Sequence, residues 1–447
     1  MQFFYRAITT SIASLLWLVV VLTGNAVAQD TGSYGGTSAE STTSEKKNPY
    51  KELTLREVYE LVRTKNPSVQ SAKSRVKAAK GRVTQASLRP NPFFKGEAEN
   101  FGGSGRFQDS RSLEKKFVLR YMIETWDKRD LRTKVAKANV DLFKRRYEAT
   151  KLDALAEASQ AFYGVLAAKR RVELRKELNQ LAKKGFKTVS QQVESGKVSS
   201  LEKTKAQVEK SKTQIALNRA RRELDAAKQE LASSWGKGEP ENFSAKGILP
   251  LPDKLHPLSE YQKKLTDNPV YELARQKIDQ REQSVQLANA RSVPNVTFGG
   301  GYKSHNFTDD HSFIVNMTLP IPLFDTNQGN IKSAKNELQS AKNNLDSIET
   351  KLMTRLKSHY ENLQATHQAL TGLKNDVIPG AKRAYEASLK GFKAGKFDYL
   401  DVLDAQRTLF ENRIQYVRSL KEFHRTQAEV KRLTAELAQD NTNTKKE

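Results

Sequence analysis

Two kinds of hydrophobic periodicity alternate along the chain. Long stretches without proline, made mostly of good helix formers, cover residues 128–193, 201–234, 331–378 and 400–439. Between them lie short stretches in which apolar and polar residues alternate one by one, which is the period of a β-strand. The pattern predicts a mainly α-helical protein with a small β part.

The alternating stretches form two pairs, each joined by a loop rich in Gly, Asp and Ser. One pair covers about residues 93–121 and the other about 296–320. Each strand is about ten residues long, the length that crosses a bilayer when tilted. In the last strand one face is wholly apolar and is predicted to face lipid: Phe313, Val315, Met317 and Leu319. The alternative is a soluble hairpin packed on the helices.

A membrane location of these strands would require an oligomer. Four strands cannot close a barrel, and strand edges cannot face lipid because their backbone groups would lack hydrogen bonds. The smallest outer-membrane barrels have about eight strands. Several chains would therefore have to contribute strands to one barrel.

The helical stretches carry apolar residues at heptad spacing. One set is Leu201, Val208 and Ile215, and a second set is Leu403, Phe410 and Val417. Such spacing predicts coiled-coil seams. A helix of about 60 residues would be roughly 90 Å long, so the helices are expected to form a rod and not a globular core.

The chain also repeats itself. SQQVESGKVSSLEKTKAQ (190–207) resembles GFKAGKFDYLDVLDAQR (391–407) at an offset of 199 residues, and residues 66–92 resemble 268–295 at an offset of 202. Two ordered matches at nearly one spacing predict an internal tandem duplication of a unit of about 200 residues. We place the first repeat at residues 53–250, the second at 251–439, and a C-terminal tail at 440–447.

The repeated motif predicts the tight tip of a helical hairpin near residues 196 and 395. Gly196 and Gly395 can adopt the left-handed conformation that ends a helix, and Ser199 with Glu202 is predicted to form a capping box. Exposed apolar and basic residues at a repeated turn indicate a partner surface. The residues are Gly196, Lys197, Val198, Leu201, Gly395, Lys396, Phe397, Tyr399 and Leu400. Turn geometry alone is the alternative, but it does not explain Phe397.

The N-terminus matches a secretory signal peptide over residues 1–28. Arg6 precedes an apolar run over residues 12–22, and Ala26-Val27-Ala28 follows as the cleavage pattern. A membrane anchor is the alternative, although the run is shorter than the ~20 residues that span a bilayer. Residues 29–52 are rich in Gly, Ser and Thr and are predicted to be a flexible linker, with order beginning at Leu53.

Composition excludes several classes of function. The net charge of +25 suggests nucleic acid, but Lys and Arg are interspersed with Glu along helices, which indicates a solvated surface and no nucleic-acid partner. There is no cysteine, so disulfides and a lipid-modified N-terminal cysteine are excluded. No phosphate loop, nucleophile elbow or HExxH pair occurs, so we predict neither an enzyme nor a cofactor.

Histidines do not predict a metal site. His305, Asp309, Asp310 and His311 cluster in the loop of the second strand pair, but their spacing matches no zinc signature. His359 and His367 are eight residues apart on a predicted helix and are assigned to its surface.

The order of helix, strand pair and helical hairpin, found twice after a signal peptide, resembles the TolC-like outer-membrane efflux family. The phrases LTLREVYELVRTKNPSV, VPNVTFGGGYK, LPIPLFDTNQGNI and GKFDYLDVLDAQRTLF are similar to the cobalt-zinc-cadmium resistance branch of that family. The similarity extends from about residue 53 to residue 439. One departure is the segment 124–128, ETWDK, where the family usually has a turn resembling Gly-Gly-Lys.

The resemblance implies a homotrimer in the cell outer membrane. Four transmembrane strands per chain would close a twelve-stranded β-barrel, and the helices would continue it as a long coiled-coil barrel in the periplasm. A periplasmic adaptor (membrane fusion) protein would dock at the tips, and an inner-membrane RND-type pump would supply the energy. The implied function is a passive exit duct for heavy-metal cations. Drugs or other small molecules are the alternative cargo, and a periplasmic coiled-coil adaptor or scaffold without membrane strands is the alternative function.

Asp401 and Asp404 lie three residues apart, just inside the second tip, and therefore share a helix face. The resemblance implies that this pair surrounds the periplasmic entrance and acts as a gate. Threefold repetition of the pair would attract cations. The alternative is that Asp401 caps the helix and Asp404 is merely solvated.

Overall fold

The computed structural model describes residues 51–238 and 243–439. The predicted signal peptide, the linker up to residue 50 and the tail at 440–447 lie outside the described residues. A strand begins at Lys51, two residues before the predicted start of order at Leu53.

The described residues form long helices and short strands, as the sequence predicts. The strands are β1 (Lys51–Leu53), β2 (Phe93–Glu99), β3 (Glu114–Ile123), β4 (Phe243–Ala245), β5 (Val296–His305) and β6 (Asp310–Thr318). The helices are α1 (Leu55–Lys65), α2 (Pro67–Ser87), α3 (Lys128–Glu194), α4 (Ser200–Ser233), α5 (Leu258–Lys263), α6 (Pro269–Ala290), α7 (Gln328–Gly372), α8 (Ile378–Lys393), α9 (Tyr399–Leu433) and α10 (Glu436–Gln439). The order of a helix, a strand pair and a helical hairpin occurs twice, first from α2 to α4 and then from α6 to α9.

Helix α3 has 67 residues, which corresponds to a length of about 100 Å at 1.5 Å per residue. It packs against α2, α4, α6 and α9, and thus connects the two halves of the chain. Among the described helices none combines the length and the apolar character needed to cross a membrane.

The helix that follows the second strand pair extends further than predicted. The expected end was residue 378, because Pro379 interrupts the stretch. Instead α7 continues through a π-helical turn at Leu373–Val377 directly into α8. A proline lacks the N–H donor and crowds the carbonyl of the preceding turn, and a wider π turn accommodates it without ending the helix.

The predicted heptad seams differ between the halves. Leu403, Phe410 and Val417 on α9 are buried, as a seam requires. On α4, however, Leu201 is 58% exposed and Ile215 is 69% exposed. The residues that α4 buries lie at other positions of the helix, among them Ala206, Glu209, Thr213, Leu217 and Ala220. The apolar stripe Leu201–Val208–Ile215 therefore faces away from the rest of its own chain.

Four strands form one antiparallel sheet with the order β2-β3-β5-β6. In register, Phe117 on β3 lies opposite Tyr302 on β5, and Tyr302 lies opposite Phe313 on β6. The four predicted strands are thus confirmed and belong to a single sheet. The short strands β1 and β4 pair in parallel elsewhere, which joins residues 51–53 to residues 243–245.

The cores lie within the helical part of the chain. One buries Leu155 and Phe162 of α3 against Leu231 of α4 and Phe243 of β4. A second consists of residues of α7 and α9, namely Leu356, Leu363, Leu370, Phe423 and Leu433. Both cores are narrow layers between helices, as expected for a rod.

We expect the substitution Leu363→Ala to lower the free energy of unfolding by about 2 to 5 kcal/mol, because it opens a cavity in the second core. Gln364→Ala, at the exposed neighbouring position, should change it by less than about 0.5 kcal/mol. Urea unfolding followed by far-UV circular dichroism measures both. Equal effects at the two positions would contradict the packing of α7 against α9.

Candidate functional site

The sheet β2-β3-β5-β6 has its apolar side turned outward. All four residues predicted to face lipid are exposed, with Phe313 at 90% and Val315 at 88%. Met317 and Leu319 are exposed as well. On the neighbouring strands the same face carries further exposed apolar residues: Phe94, Phe117, Leu119, Phe298 and Tyr302. We call this surface the outer face of the sheet.

The opposite side, the inner face of the sheet, carries most of the charged residues of the sheet, and the ion-paired Glu97, Lys116, Glu114 and Lys303 on it are partly buried. Glu97 pairs with Lys95 and, at 3.3 Å, with Lys116. Glu114 pairs with Lys303 at 2.5 Å. Val118, which lies opposite Lys95 on the helix side of Lys116, is fully buried. In a water-soluble protein the apolar side of a sheet is covered and the charged side is wet, so this sheet is inverted relative to that rule.

Glycines make room on the inner face. A Cβ atom at Gly299 would lie 2.3 Å from Asn316 Oδ1 and 3.1 Å from Arg120 Cγ. A Cβ atom at Gly301 would lie 2.5 Å from the carbonyl oxygen of Phe117. The glycines of β5 therefore allow the side chains of the neighbouring strands to lie across it.

The turn between β3 and α3 departs from the family pattern in sequence but retains a backbone suited to glycine. Trp126 and Asp127 have φ values of 52° and 50°, in the left-handed region that side chains disfavour. Two cations hold this turn. The buried Lys128 donates to Asn295 Oδ1 at 2.5 Å, and Arg132 donates to Glu124 at 2.5 and 3.2 Å. Burial lowers the pKa of Lys128.

Both hairpin tips have the predicted glycine turn. Gly196 and Gly395 each have φ of 72°. The N–H groups of Lys197 and Lys396 donate to the carbonyl five residues earlier, at 2.8 and 2.9 Å. This is the Schellman arrangement, which satisfies carbonyl groups at a helix end and favours glycine.

The capping box occurs at the other tip. Ser199 Oγ accepts a hydrogen bond from the N–H of Leu201 at 3.2 Å, and Glu202 pairs with Lys205 at 2.8 Å. The predicted box at Ser199 and Glu202 is therefore wrong, because Glu202 is drawn to the lysine one turn along the helix. Asp398 and Asp401 form the box instead, and the N–H of Asp398 donates to Asp401 at 3.0 Å.

The tips expose most of the predicted partner surface. The exposed members are Gly196, Lys197, Leu201, Gly395, Lys396, Phe397 and Leu400. Val198 is half-buried against the core of the tip. Tyr399 was expected to be exposed but is buried, with its ring centroid 5.5 Å from that of Phe392. Burial raises the pKa of Tyr399 to about 12.

Asp401 and Asp404 are both exposed, on the face of α9 opposite the buried Leu403. Asp401 completes the cap described above. One turn beyond Asp404, Arg407 donates to Glu209 of α4 at 2.5 Å. That bond raises the pKa of Arg407, and the negative charge of Asp404 contributes to the increase. The pair thus lies on an open surface, and the guanidinium nearest to it is held by another carboxylate.

The histidines are placed differently from the prediction. His359 and His367 were assigned to the surface but are half-buried, and His367 Nε2 lies 2.7 Å from the Pro252 carbonyl. His424, which no sequence motif singles out, is buried with its ring stacked 4.0 Å from that of Tyr163. Burial lowers the pKa of His424 to about 4. Its position one helical turn after Leu420 was the only available signal.

The loop histidines make local contacts. His305 lies 3.2 Å from Glu114, and His311 Nδ1 lies 2.6 Å from the hydroxyl of Tyr302. Within residues 51–238 and 243–439, no group of three or more His, Cys, Asp or Glu side chains is placed to hold a metal ion.

The fold is similar to solved structures of outer-membrane channels. A crystal structure of CusC, described in terms of transmembrane channel formation, superposes with a TM-score of 0.72 at 15% identity, covering 88% of this chain and 95% of that one. The open state of the MtrE outer membrane channel of Neisseria gonorrhoeae gives 0.71 at 16% identity, covering 92% and 97%.

Sequence comparison gives closer relatives. The cobalt-zinc-cadmium resistance protein CzcC of Cupriavidus metallidurans is 31% identical over 382 residues, covering 85% of this chain and 90% of that protein. The nickel-cobalt-cadmium resistance protein NccC of Alcaligenes xylosoxydans is 24% identical over 67% of this chain and 68% of that protein. The profile of the outer membrane efflux protein family matches residues 58–237 and 261–436. The chain therefore belongs to the outer membrane efflux protein family.

Proposed function

We propose that three copies of this outer-membrane efflux protein form the exit duct of a tripartite export system. The inverted sheet carries the proposal. Its exposed apolar outer face suits lipid, and its charged inner face suits a water-filled channel. Strands β2 and β6 are the two edges of the sheet. Pairing of β6 in one copy with β2 in the next would remove all edges and close a twelve-stranded barrel.

We propose heavy-metal cations as the cargo. The similar proteins CzcC and NccC are named for resistance to cobalt, zinc and cadmium and to nickel, cobalt and cadmium. The duct itself would be passive and not an enzyme, because its role would be to provide an open path across the outer membrane. The driving force would come from an inner-membrane RND-type pump, and a periplasmic adaptor would join the two.

The two ends of the helical rod would have different roles. At the tips, Phe397 and Leu400 present half-exposed apolar groups beside Lys396, a combination that suits a protein partner, and we assign adaptor docking to this surface. Asp401 and Asp404 lie within the next helical turns. In a trimer they would place six carboxylates around the entrance, where they would favour cations and form the gate.

Removal of the gene from its host should raise the cellular content of Co²⁺, Zn²⁺ or Cd²⁺ during exposure to these ions, because the pump would lose its exit. Return of the wild-type gene should reverse the increase. Elemental analysis of washed cells measures the metals, and uptake of a fluorescent drug serves as the comparison. Unchanged metal together with increased drug would assign the duct to drugs.

The lipid assignment of the outer face predicts a contrast between neighbouring residues of β6. Phe313→Arg should destabilise the membrane-inserted protein by about 2 to 4 kcal/mol or more, because it places a cation in the bilayer. Ser312→Arg, on the inner face, should be tolerated because its side chain would meet water. Urea unfolding of protein refolded in phospholipid bilayers gives both values. Equal tolerance would favour a soluble hairpin.

The gate assignment predicts an electrical effect of changing both Asp401 and Asp404 to Asn. Single-channel recordings should show a lower preference for cations and weaker block by multivalent cations, since six carboxylates would be lost. Trimer assembly should survive because an Asn side chain can still accept the N–H of Asp398. Glu202→Gln at the other tip should alter the current less, because Glu202 is already paired with Lys205. An unchanged ion preference in the double variant would leave Asp401 as a helix cap only.

A further inference from the structure

The charges on the inner face of the sheet are sorted along the strands. In register, Arg120 of β3 lies beside Gly299 of β5 in the charged row nearest the helices. The row nearest the loops joins Glu99, Glu114 and Asp310, together with His305. Between these rows lie three lysines and one carboxylate: Lys95, Lys116, Lys303 and Glu97. The helix side of the face thus has four cations and one carboxylate, and the loop side has three carboxylates.

Ion pairs involve all the charges of the middle rows, although three lysines share two carboxylates, and they leave charges at both ends unpaired. Glu97 forms ion pairs with Lys95 and Lys116, and Glu114 forms one with Lys303. Among the described residues this leaves Arg120 without an ion pair at the helix side. It also leaves Glu99 and Asp310 without one at the loop side.

Arg120 is also held in place. Its Cγ lies over Gly299, where a Cβ atom would approach it to 3.1 Å, and the adjacent Asn316 Oδ1 is enclosed without a hydrogen-bond partner. The Nε atom of Arg120 is enclosed and unpartnered as well. A fixed, unpaired guanidinium on a sheltered surface is a stronger source of potential than a mobile surface lysine, because less solvent screens it.

We propose that the inner face of the sheet is a two-zone electrostatic filter, in which Arg120 with the lysine rows admits anions and the loop-side carboxylates admit cations. This inference rests on the proposed barrel, in which the inner face lines the channel. The unpaired Arg120 and the loop-side Glu114 are six residues apart on β3, about 20 Å, which exceeds the Debye length of about 8 Å at physiological ionic strength. Arg120 therefore acts on passing ions separately from the loop-side carboxylates.

The filter would oppose the carboxylates proposed at the tips. A cation that has passed the tips would meet a repulsive ring of three Arg120 side chains before the attractive outer mouth. Ions of both signs would then share the barrel, and the current would depend on the direction of the voltage. Conductance should be higher when the voltage drives cations from the loop side and anions from the helix side, because both then enter the zone of opposite charge.

The test is a planar-bilayer recording of the full-length channel in a KCl gradient. Three unit charges at about 10 Å with partial screening correspond to a factor of about two in ion partition. Because this factor acts in opposite directions on the two ions, Arg120→Gln should lower the chloride-to-potassium permeability ratio about fourfold and weaken the voltage asymmetry. Arg120→Lys should restore both, since it retains the charge. If Arg120→Lys lowers the permeability ratio as much as Arg120→Gln does, the charge of Arg120 is not responsible and the proposal is overturned.

A matched pair on one strand provides the control. Lys116→Gln changes the inner face, whereas Lys115→Gln removes the same charge from the outer face one residue away. Only the first should shift the reversal potential, and equal shifts would contradict the assignment of faces. Absence of any channel from the wild-type protein would refute the proposed function itself. Normal channels with an unchanged reversal potential in Arg120→Gln would refute the filter alone.

Discussion

The outer face of the sheet needs an apolar environment that a single chain in water does not supply. Its apolar residues are exposed, from 37% at Tyr302 to 90% at Phe313. Burial of each such side chain is worth about 1.5 to 3 kcal/mol, so the face requires an apolar environment. Lipid supplies one only if the strand edges are also paired, which a single chain with free edges β2 and β6 cannot do. Membrane location and oligomerisation thus follow from one requirement.

The helical part shows the same incompleteness. The seam on α9 is closed within the chain, whereas the stripe Leu201–Val208–Ile215 on α4 remains open. In the proposed trimer a neighbouring copy would cover this stripe, as the heptad spacing requires. The left-handed turns at Gly196 and Gly395 let the chain reverse direction tightly between the helices of each hairpin. The sheet and the helices therefore both leave surfaces that suit further copies of the chain.

Much of this architecture could be predicted from the sequence, since periodicity reports which face of an element is apolar. The helices and the four strands follow from it, and the tip glycines follow from the repeated motif. Periodicity does not show which element covers an apolar face. The heptad spacing on α4 therefore predicts a seam without showing that no helix of the same chain packs on it. Local interactions that compete with a predicted feature were also not predictable. Glu202 forms an ion pair with Lys205 and not the predicted capping box, and a π-helical turn lets the helix continue beyond Pro379. The burial of Tyr399 and His424 depends on helices distant in sequence. Whether Asp401 and Asp404 line an entrance depends on copies that a single chain does not contain.

Tryptophan fluorescence quenching tests directly whether the outer face lies in lipid. The described residues contain Trp126 and Trp235, which can be replaced by Phe so that a single new reporter is introduced. With the reporter placed by Val315→Trp, brominated phospholipids should quench the fluorescence of the reconstituted protein strongly. With the reporter placed by Ser312→Trp on the inner face, they should quench it little. Weak quenching at both positions, or equal quenching at both, would contradict the location of the outer face in lipid.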